Sequence, residues 1–397
     1  MKEDVFIIEG RRLPQGRFGG TYSGLESWQL AAGMIRRFGE LPSIDLELVD
    51  GVFLGHCRQA GHGPNPARTA AVLGGIEKDV YATTVNTACL SGLDSLRAGV
   101  DFLASERGDV VLCGGVEVMS SMPHILKGMR FSGKKHGDLV LKDGWSDATD
   151  PLVGERAGLC AEKRAEELEI TREEMDGLAV ESHRRALGLW NETAVAREVM
   201  TGSLPVTSIG EDGEVSVAKS ALPLRDETIR NEKELQSIGW LLPVFKEGGL
   251  LTAGNTCCHA DGAAVFMLAT RKYIESKGIK PRARLGRFFF RGGEPRDMTR
   301  APGRLLASME RCYDTYQVHE SFSSQVLDNV RTSGIGYDRM NLHGGGLALG
   351  HPTGMSGARI VMSLLTVMEA RDMQSGLAVI TSVGGMCMGL EVFRTGY

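Results

Sequence analysis

The sequence predicts an α/β fold with helices packed on the faces of a sheet. Three observations lead there. Short apolar runs at residues 5–8, 51–54, 110–113 and 377–380 read as buried strands, each followed by glycine or polar residues, with helically spaced segments between them. A weak internal repeat is also present. Ser91-Gly92-Leu93 opens a helix that leads to Val110-Val111-Leu112-Cys113 and then Gly114-Gly115. Ser356-Gly357-Ala358 opens another that leads to Ala378-Val379-Ile380-Thr381 and then Gly384-Gly385. Finally, 52 glycines suit many tight strand–helix turns. Two related halves with helix N-termini facing a shared centre would bring Cys89 and His351 together. Read alone, the repeat also fits two ordinary βα units.

Taken in order, Thr83, Thr84 and Val85 favour extended chain, and Leu93, Leu96 and Val100 recur at helical spacing after Cys89. Composition changes between about Ser121 and Gly249. Lys127, Arg130, Lys134 and Lys135 form a basic stretch with little periodicity, which reads equally as a solvated loop. A strong helix is expected after Ile170. Thr171 and Glu174 have capping-box spacing, and Met175, Leu178, Ala179 and Ser182 mark one face. A polar stretch from Thr201 to Lys219 precedes Asp226. This central region is the place for an inserted loop domain. The expected division is 1–120 for an N-terminal half, completed by about 250–270, then 121–249 for the insert and 271–397 for a C-terminal half.

The chain's 397 residues allow two or three domains and ample core. A net charge of -5 argues against a nucleic-acid partner, and any anionic ligand must meet a local basic cluster. The eight cysteines form no paired CxxC spacings and read as free thiols in a reducing compartment. The start, Met1-Lys2-Glu3-Asp4, has no apolar signal region, and no apolar run approaches the roughly 18 residues of a membrane span. The end, Thr395-Gly396-Tyr397, is no peroxisomal address. The expected location is the cytoplasm. Walker, Rossmann and Gly-x-Ser-x-Gly signatures are absent. Cys257-Cys258-His259 is not read as a metal site, because adjacent residues chelate one ion poorly.

Cys89 carries the chemical argument. It lies in Asn86-Thr87-Ala88-Cys89-Leu90-Ser91-Gly92, where a strand gives way to a helix. Unpaired N–H groups and the positive end of a helix dipole favour thiolate over thiol, which makes such a cysteine a candidate nucleophile. Taken alone, such a cysteine reads better as a small buried hydrophobe. Distant segments decide between the two: Val318-His319-Glu320-Ser321-Phe322, and Asn341 to Pro352 with Gly350-His351-Pro352 at its end. With Cys89, these resemble the thiolase family, enzymes that make or cleave 3-oxoacyl-CoA. Arg12 to Gly20, Asn65-Pro66-Ala67-Arg68, Gly114 to Ser120, Thr252-Ala253-Gly254-Asn255 and Asp261-Gly262-Ala263-Ala264 match further family blocks in the family's order.

The resemblance implies a five-layered fold of two related α/β halves, with the insert covering coenzyme A. It implies that Cys89 is the nucleophile and His351 its base, a role that suits a group titrating near neutral pH. His319 stands where many thiolases carry asparagine; a His-Glu-x-Phe version occurs in thiolases of trifunctional fatty-acid oxidation complexes. It would hold the substrate's thioester oxygen, directly or through water. The backbone N–H groups of Cys89 and Gly384 would hold a second oxyanion. Arg230 and Phe245 would grip the nucleotide and pantetheine, Phe322 would line the channel, and Cys257 stands where a serine usually bonds the pantetheine. Coenzyme A enters as substrate, and no cofactor is implied. A homodimer or homotetramer is implied, or membership of a fatty-acid oxidation complex.

One departure stands out. The family's second cysteine, in a Cys-x-Gly-Gly-Gly turn, is missing. Residues 380–389 read Ile-Thr-Ser-Val-Gly-Gly-Met-Cys-Met-Gly, so matching the glycines puts Thr381 or Ser382 there. Cys387 is the alternative acid/base, though it reads better as a buried strand cysteine. This loss keeps two rivals open. One is a condensing synthase, and the other a non-catalytic acyl-CoA-binding subunit.

Overall fold

The computed structural model describes residues 4–131, 136–144 and 149–395. Lys134 and Lys135 of the basic stretch therefore lie outside the described residues, as do Met1 to Glu3, Gly396 and Tyr397. The first part of the chain forms β1 (Val5–Arg12), β2 (Gly16–Arg17), α1 (Ser27–Gly39), β3 (Gly51–Gly55), α2 (Pro66–Gly74), β4 (Tyr81–Val85), α3 (Ser91–Ala104) and β5 (Val110–Val118). The middle part forms β6 (His124–Ile125), β7 (Lys142–Asp143), α4 (Ala157–Glu167), α5 (Arg172–Trp190), β8 (Ser203–Ile209), β9 (Val215–Ala221) and α6 (Glu232–Gln236). The chain then returns through β10 (Ala260–Thr270) and α7 (Arg271–Lys277). The last part forms β11 (Ala283–Arg291), α8 (Ala301–Ala307), β12 (Thr315–Val318), α9 (Ser323–Ser333), α10 (Gly346–Leu349), α11 (Thr353–Ala370), β13 (Ser375–Ser382) and β14 (Met386–Arg394).

One mixed sheet runs in the order β12-β13-β14-β11-β1-β10-β5-β3-β4. The internal repeat is written in its pairing. In the first half β3 is parallel to β5, β5 antiparallel to β10, and β10 antiparallel to β1. In the second, β12 is parallel to β13, β13 antiparallel to β14, and β14 antiparallel to β11. The halves meet where Phe6 faces Arg284 and Ile7 faces Ala283 across β1 and β11.

Strand alternation sorts side chains into layers. Phe6, Ile8, Val52, Leu54, Leu112 and Val265 face α1 and α2. Val5, Ile7, Val111 and Phe266 face the other way, and with Ala378, Ile380, Met388 and Leu390 of the second half they enclose α3 and α11. Leu377 and Val379 face α8. The result is helix, sheet, helix pair, sheet, helix. The runs read as strands from sequence all lie in strands, because each is buried on both faces.

The helix expected after Ile170 is α5. Thr171 and Glu174 form its capping box, and Met175, Leu178, Ala179 and Ser182 are buried. Residues 201–219, read only as polar, form most of the β8–β9 hairpin. Leu204 and Val206 of β8 join the core against α1, while β9 is exposed along nearly its whole length, so no alternation shows in its sequence. Among the described residues, no helix is long and apolar enough to cross a membrane.

The central helices touch backbone to backbone. A Cβ on Gly92 of α3 would sit 2.7 Å from Ala358 N and 2.8 Å from Gly354 O of α11. That closeness sets the N-termini of α3 and α11 side by side. Gly92→Ala should therefore push the helices apart, lowering stability by roughly 1–3 kcal/mol in urea unfolding and separating the groups carried on their first turns. An unchanged unfolding midpoint would show that the contact has slack.

Candidate active site

Cys89 lies in the turn between β4 and α3, just ahead of the helix. Ala88 before it has φ 54°, a left-handed conformation rare outside glycine. Ser91 holds this turn. Its Oγ accepts from Thr87 N (3.0 Å) and donates to Ala88 O (2.5 Å). The turn presents the thiol to the start of α11. Burial pushes the thiol's pKa up, against the opposing pull of Arg58, the Ser382 hydroxyl and the residue's own N–H. The helix-end stabilisation expected from sequence is thus outweighed, and the resting sulfur keeps its proton.

His351 meets that sulfur. Its Nε2 is 3.2 Å from Cys89 Sγ. Its Nδ1 is 2.7 Å from Ser356 Oγ, and Ser356 gives its own proton to Pro352 O (2.9 Å). The hydroxyl can then only accept from Nδ1–H, which leaves a lone pair on Nε2 directed at the thiol. Burial, followed by Arg359 and His259, drives His351 down to about 3, so the ring is neutral. Gly350, at φ 71°, is needed beside it, since a Cβ there would lie 2.7 Å from the Cβ of Ala260. His351 N donates to Cys258 O (2.8 Å) and fixes the loop.

The histidine loop is also held by Glu117, a residue the sequence offered only as part of a block. Its buried carboxylate accepts from Cys57 N (2.9 Å), Arg58 N (3.1 Å), Thr353 Oγ1 (2.7 Å) and Gly354 N (2.8 Å). His56 Nε2 lies 3.0 Å away. Despite burial, His56 and these donors hold Glu117 down at about 2. The carboxylate joins the end of β5 to the first turn of α11.

His319 is buried beside the pair, its ring centroid 4.3 Å from that of His351. Its Nδ1 lies 3.4 Å from Arg359 Nη2. Burial, with His351 and Arg359, pushes its pKa well down. Glu320 is buried as well, and it accepts from Ser182 Oγ, Tyr337 Oη and Asn341 Nδ2, each at 2.7 Å. It braces the loop and does not face the thiol.

The departure from the family motif resolves by strand parity. Thr381 gives its hydroxyl to Met298 O and Met386 O (2.8 and 2.9 Å). Ser382, one residue on, alternates to the other face of β13, where its buried hydroxyl has no hydrogen-bond partner among the described residues and pulls the Cys89 thiol's pKa down. Cys387 pairs with Thr381 across the β13–β14 hairpin and packs with Leu377 and Val379, on the face away from Cys89. Burial raises its thiol far above its ordinary value. The reading of Cys387 as acid/base is therefore corrected: its side chain is in the outer core layer. A second correction concerns Gly384. Its N–H, expected to await an oxyanion, donates to Asp150 Oδ2 at 2.7 Å. Asp150 comes from the middle part of the chain, and no local signal links it to the glycine turn.

Other expected residues group along one wall. Phe322 and Phe245 pack edge to face, with centroids 6.0 Å apart. Cys257 N donates to Ser321 O (3.0 Å), and its buried thiol is pushed far up. Arg230 has a separate neighbourhood: its N–H donates to His183 Nδ1 (3.1 Å) and its guanidinium to Ala253 O (2.9 Å).

Two family models match this chain, the thiolase N-terminal domain over residues 5–272 and the thiolase C-terminal domain over residues 279–394. The chain belongs to the thiolase family. An acetyl-CoA acetyltransferase of Schizosaccharomyces pombe is 31% identical over 98% of this chain and 99% of its own. The crystal structure of the Bacillus anthracis acetyl-CoA acetyltransferase aligns over 99% of both chains at 30% identity, with a TM-score of 0.89. Human mitochondrial 3-ketoacyl-CoA thiolase aligns over 99% of both at 28% identity and 0.86.

The buried histidines should make this thiolase acid-labile. His351 and His183 fall to about 3 and His259 to about 4, whereas an unfolded histidine titrates near 6.5. Below about pH 6.5 the unfolded chain binds protons that the folded chain refuses, so stability falls with pH. Glu117 adds to this below its ordinary range. Asp261, raised to about 6, opposes it. The melting temperature should drop by roughly 5 °C or more between pH 6.5 and 4.5. A flat calorimetric profile over that window would refute the neutral-histidine assignment.

Proposed function

We propose that this thiolase is an acyl-CoA C-acyltransferase that cleaves 3-oxoacyl-CoA with CoA, or runs the reverse Claisen condensation, through an acyl thioester on Cys89. The observation that carries this reading is the neutral His351 Nε2 at 3.2 Å from Cys89 Sγ. His351 takes the thiol proton, and the sulfur attacks the 3-oxo carbon. The bond between C2 and C3 breaks, leaving an acyl group on Cys89 and the enolate of acetyl-CoA. The imidazolium returns its proton to C2. It then takes the proton of incoming CoA, whose sulfur displaces Cys89 and restores the thiol. Protons balance with one imidazole, which is how this reading accommodates the missing cysteine. Ser382, with an alcohol's high pKa, serves as a hydrogen-bonding neighbour.

His319 holds the thioester oxygen, and the N–H of Cys89 faces the oxygen at C3. Gly384 joins that second site only if Asp150 withdraws. Phe245, Phe322, Cys257 and Arg230 serve the coenzyme, with the described part of residues 121–249 covering it, and no metal or redox group takes part. The protein works in the cytoplasm; its eight free cysteines support a reducing compartment. It acts as a homo-oligomer; the open sheet edge at β4, with Tyr81 exposed, supports this.

Purified protein with acetoacetyl-CoA and free CoA should lose the 3-oxo thioester and show transient acetylation of Cys89 by intact mass. Cys89→Ala should lower turnover on the order of 10³-fold or more while keeping the melting temperature. Unchanged turnover in that variant refutes the reading. Stable acylation without thiolysis would favour the condensing synthase. Binding without acylation would favour the acyl-CoA-binding subunit.

A further inference from the structure

Arg359 lies near the N-terminus of α11, fully buried. Among the described residues its Nε and Nη1 meet no hydrogen-bond partner, and its Nη2 reaches only His319 Nδ1, at 3.4 Å. The nearby carboxylates do not reach it with a hydrogen bond. Glu198 takes Arg12 Nε (2.6 Å) and Ser363 Oγ (3.2 Å) on Oε1, and its Oε2 has no hydrogen-bond partner among the described residues. Asp226 takes both Arg12 Nη groups (2.6 and 3.0 Å), Gln15 N (2.6 Å) and Trp190 Nε1 (3.0 Å). Glu320 is held by the donors already described. A buried cation with two unpaired nitrogens is destabilising, and replacing such a group by an apolar side chain of similar length is often neutral or stabilising.

The contact with His319 gives the cation a use. A guanidinium only donates, so Nδ1 of His319 must accept. The neutral ring then carries its proton on Nε2, which is buried and has no partner among the described residues. Without this contact either tautomer is open, and the wrong one would turn an acceptor toward the substrate's oxygen.

We propose that Arg359 is a positioning residue that fixes His319 as the Nε2–H tautomer, so that the ring donates to the substrate's thioester oxygen. The proposal rests on the acyl-transfer reading above for its catalytic meaning. The asparagine that many thiolases carry at position 319 has an amide with a fixed donor and needs no such partner.

The test is Arg359→Met in the full chain, alone and with His319→Asn. Alone, it should keep or raise the melting temperature yet lower kcat with acetoacetyl-CoA roughly 10- to 100-fold, with little change in KM. In the His319→Asn background the same change should cost less than about threefold. Equal losses in both backgrounds, or a lowered melting temperature with a matching loss of activity, would overturn the proposal. Nitrogen-15 spectra of labelled histidine, assigned by the signal missing in His319→Asn, read the tautomer without turnover. His319 should be protonated at Nε2 in the wild type and lose that preference in Arg359→Met. An unchanged tautomer would also overturn the proposal. An Nε2–H that responds to Arg359→Met in a protein inert toward acetoacetyl-CoA would instead remove the acyl-transfer reading and leave the tautomer control standing.

Discussion

The site depends on how closely two helices can pass. Gly92 and Gly357 remove the side chains that would hold α3 and α11 apart, and each half of the molecule then delivers one helix N-terminus to the same place. The proposed catalytic pair is measured from that contact. Cys89 sits in the turn before one helix and His351 in the turn before the other. Glu117 fixes the second turn to the sheet with a set of donors that leaves its carboxylate little freedom. A thiol and an imidazole on separate halves need such a rigid reference to stay in hydrogen-bond reach, because a small displacement breaks the contact.

Burial sets the electrical character of this centre. Thiol and imidazole are both pushed toward their neutral forms, so the resting pair carries no charge. A preformed ion pair would have to be desolvated in the same space. In the proposed mechanism, charge appears only when a substrate carbonyl is present to receive the sulfur's electrons. The cations Arg58, in the loop after β3, and Arg359, on α11, both bear electrostatically on this pair.

Much of this was legible in the sequence. Strands buried on both faces announce themselves as continuous apolar runs, and Thr171 with Glu174 marks a helix start by local hydrogen bonding alone. Cys89, His319 and His351 were recognisable because their neighbours form motifs. Contacts made across the fold were not legible. Cys387 carries suggestive neighbours, but it faces the outer layer, and only the hairpin register shows that Ser382 points inward instead. The bond from Gly384 to Asp150 joins residues 234 positions apart. Arg359 reads as an ordinary helix residue, since nothing local reveals that α11 is buried all round.

The position of β10 has a consequence for synthesis. This strand lies between β1 and β5 and pairs with both along most of its length, yet it follows the whole middle part of the chain. As the protein leaves the ribosome, β1 and β5 must therefore wait with open edges until residue 270 has emerged. Until then Val111, Cys113 and Ile7 lack the Phe266 and Leu268 that cover them. A nascent chain in that condition offers apolar strand edges to other chains. The first half of this molecule is thus complete as a folded body only after its longest detour has been made, and a fragment that stops short of β10 would be sticky and prone to aggregate.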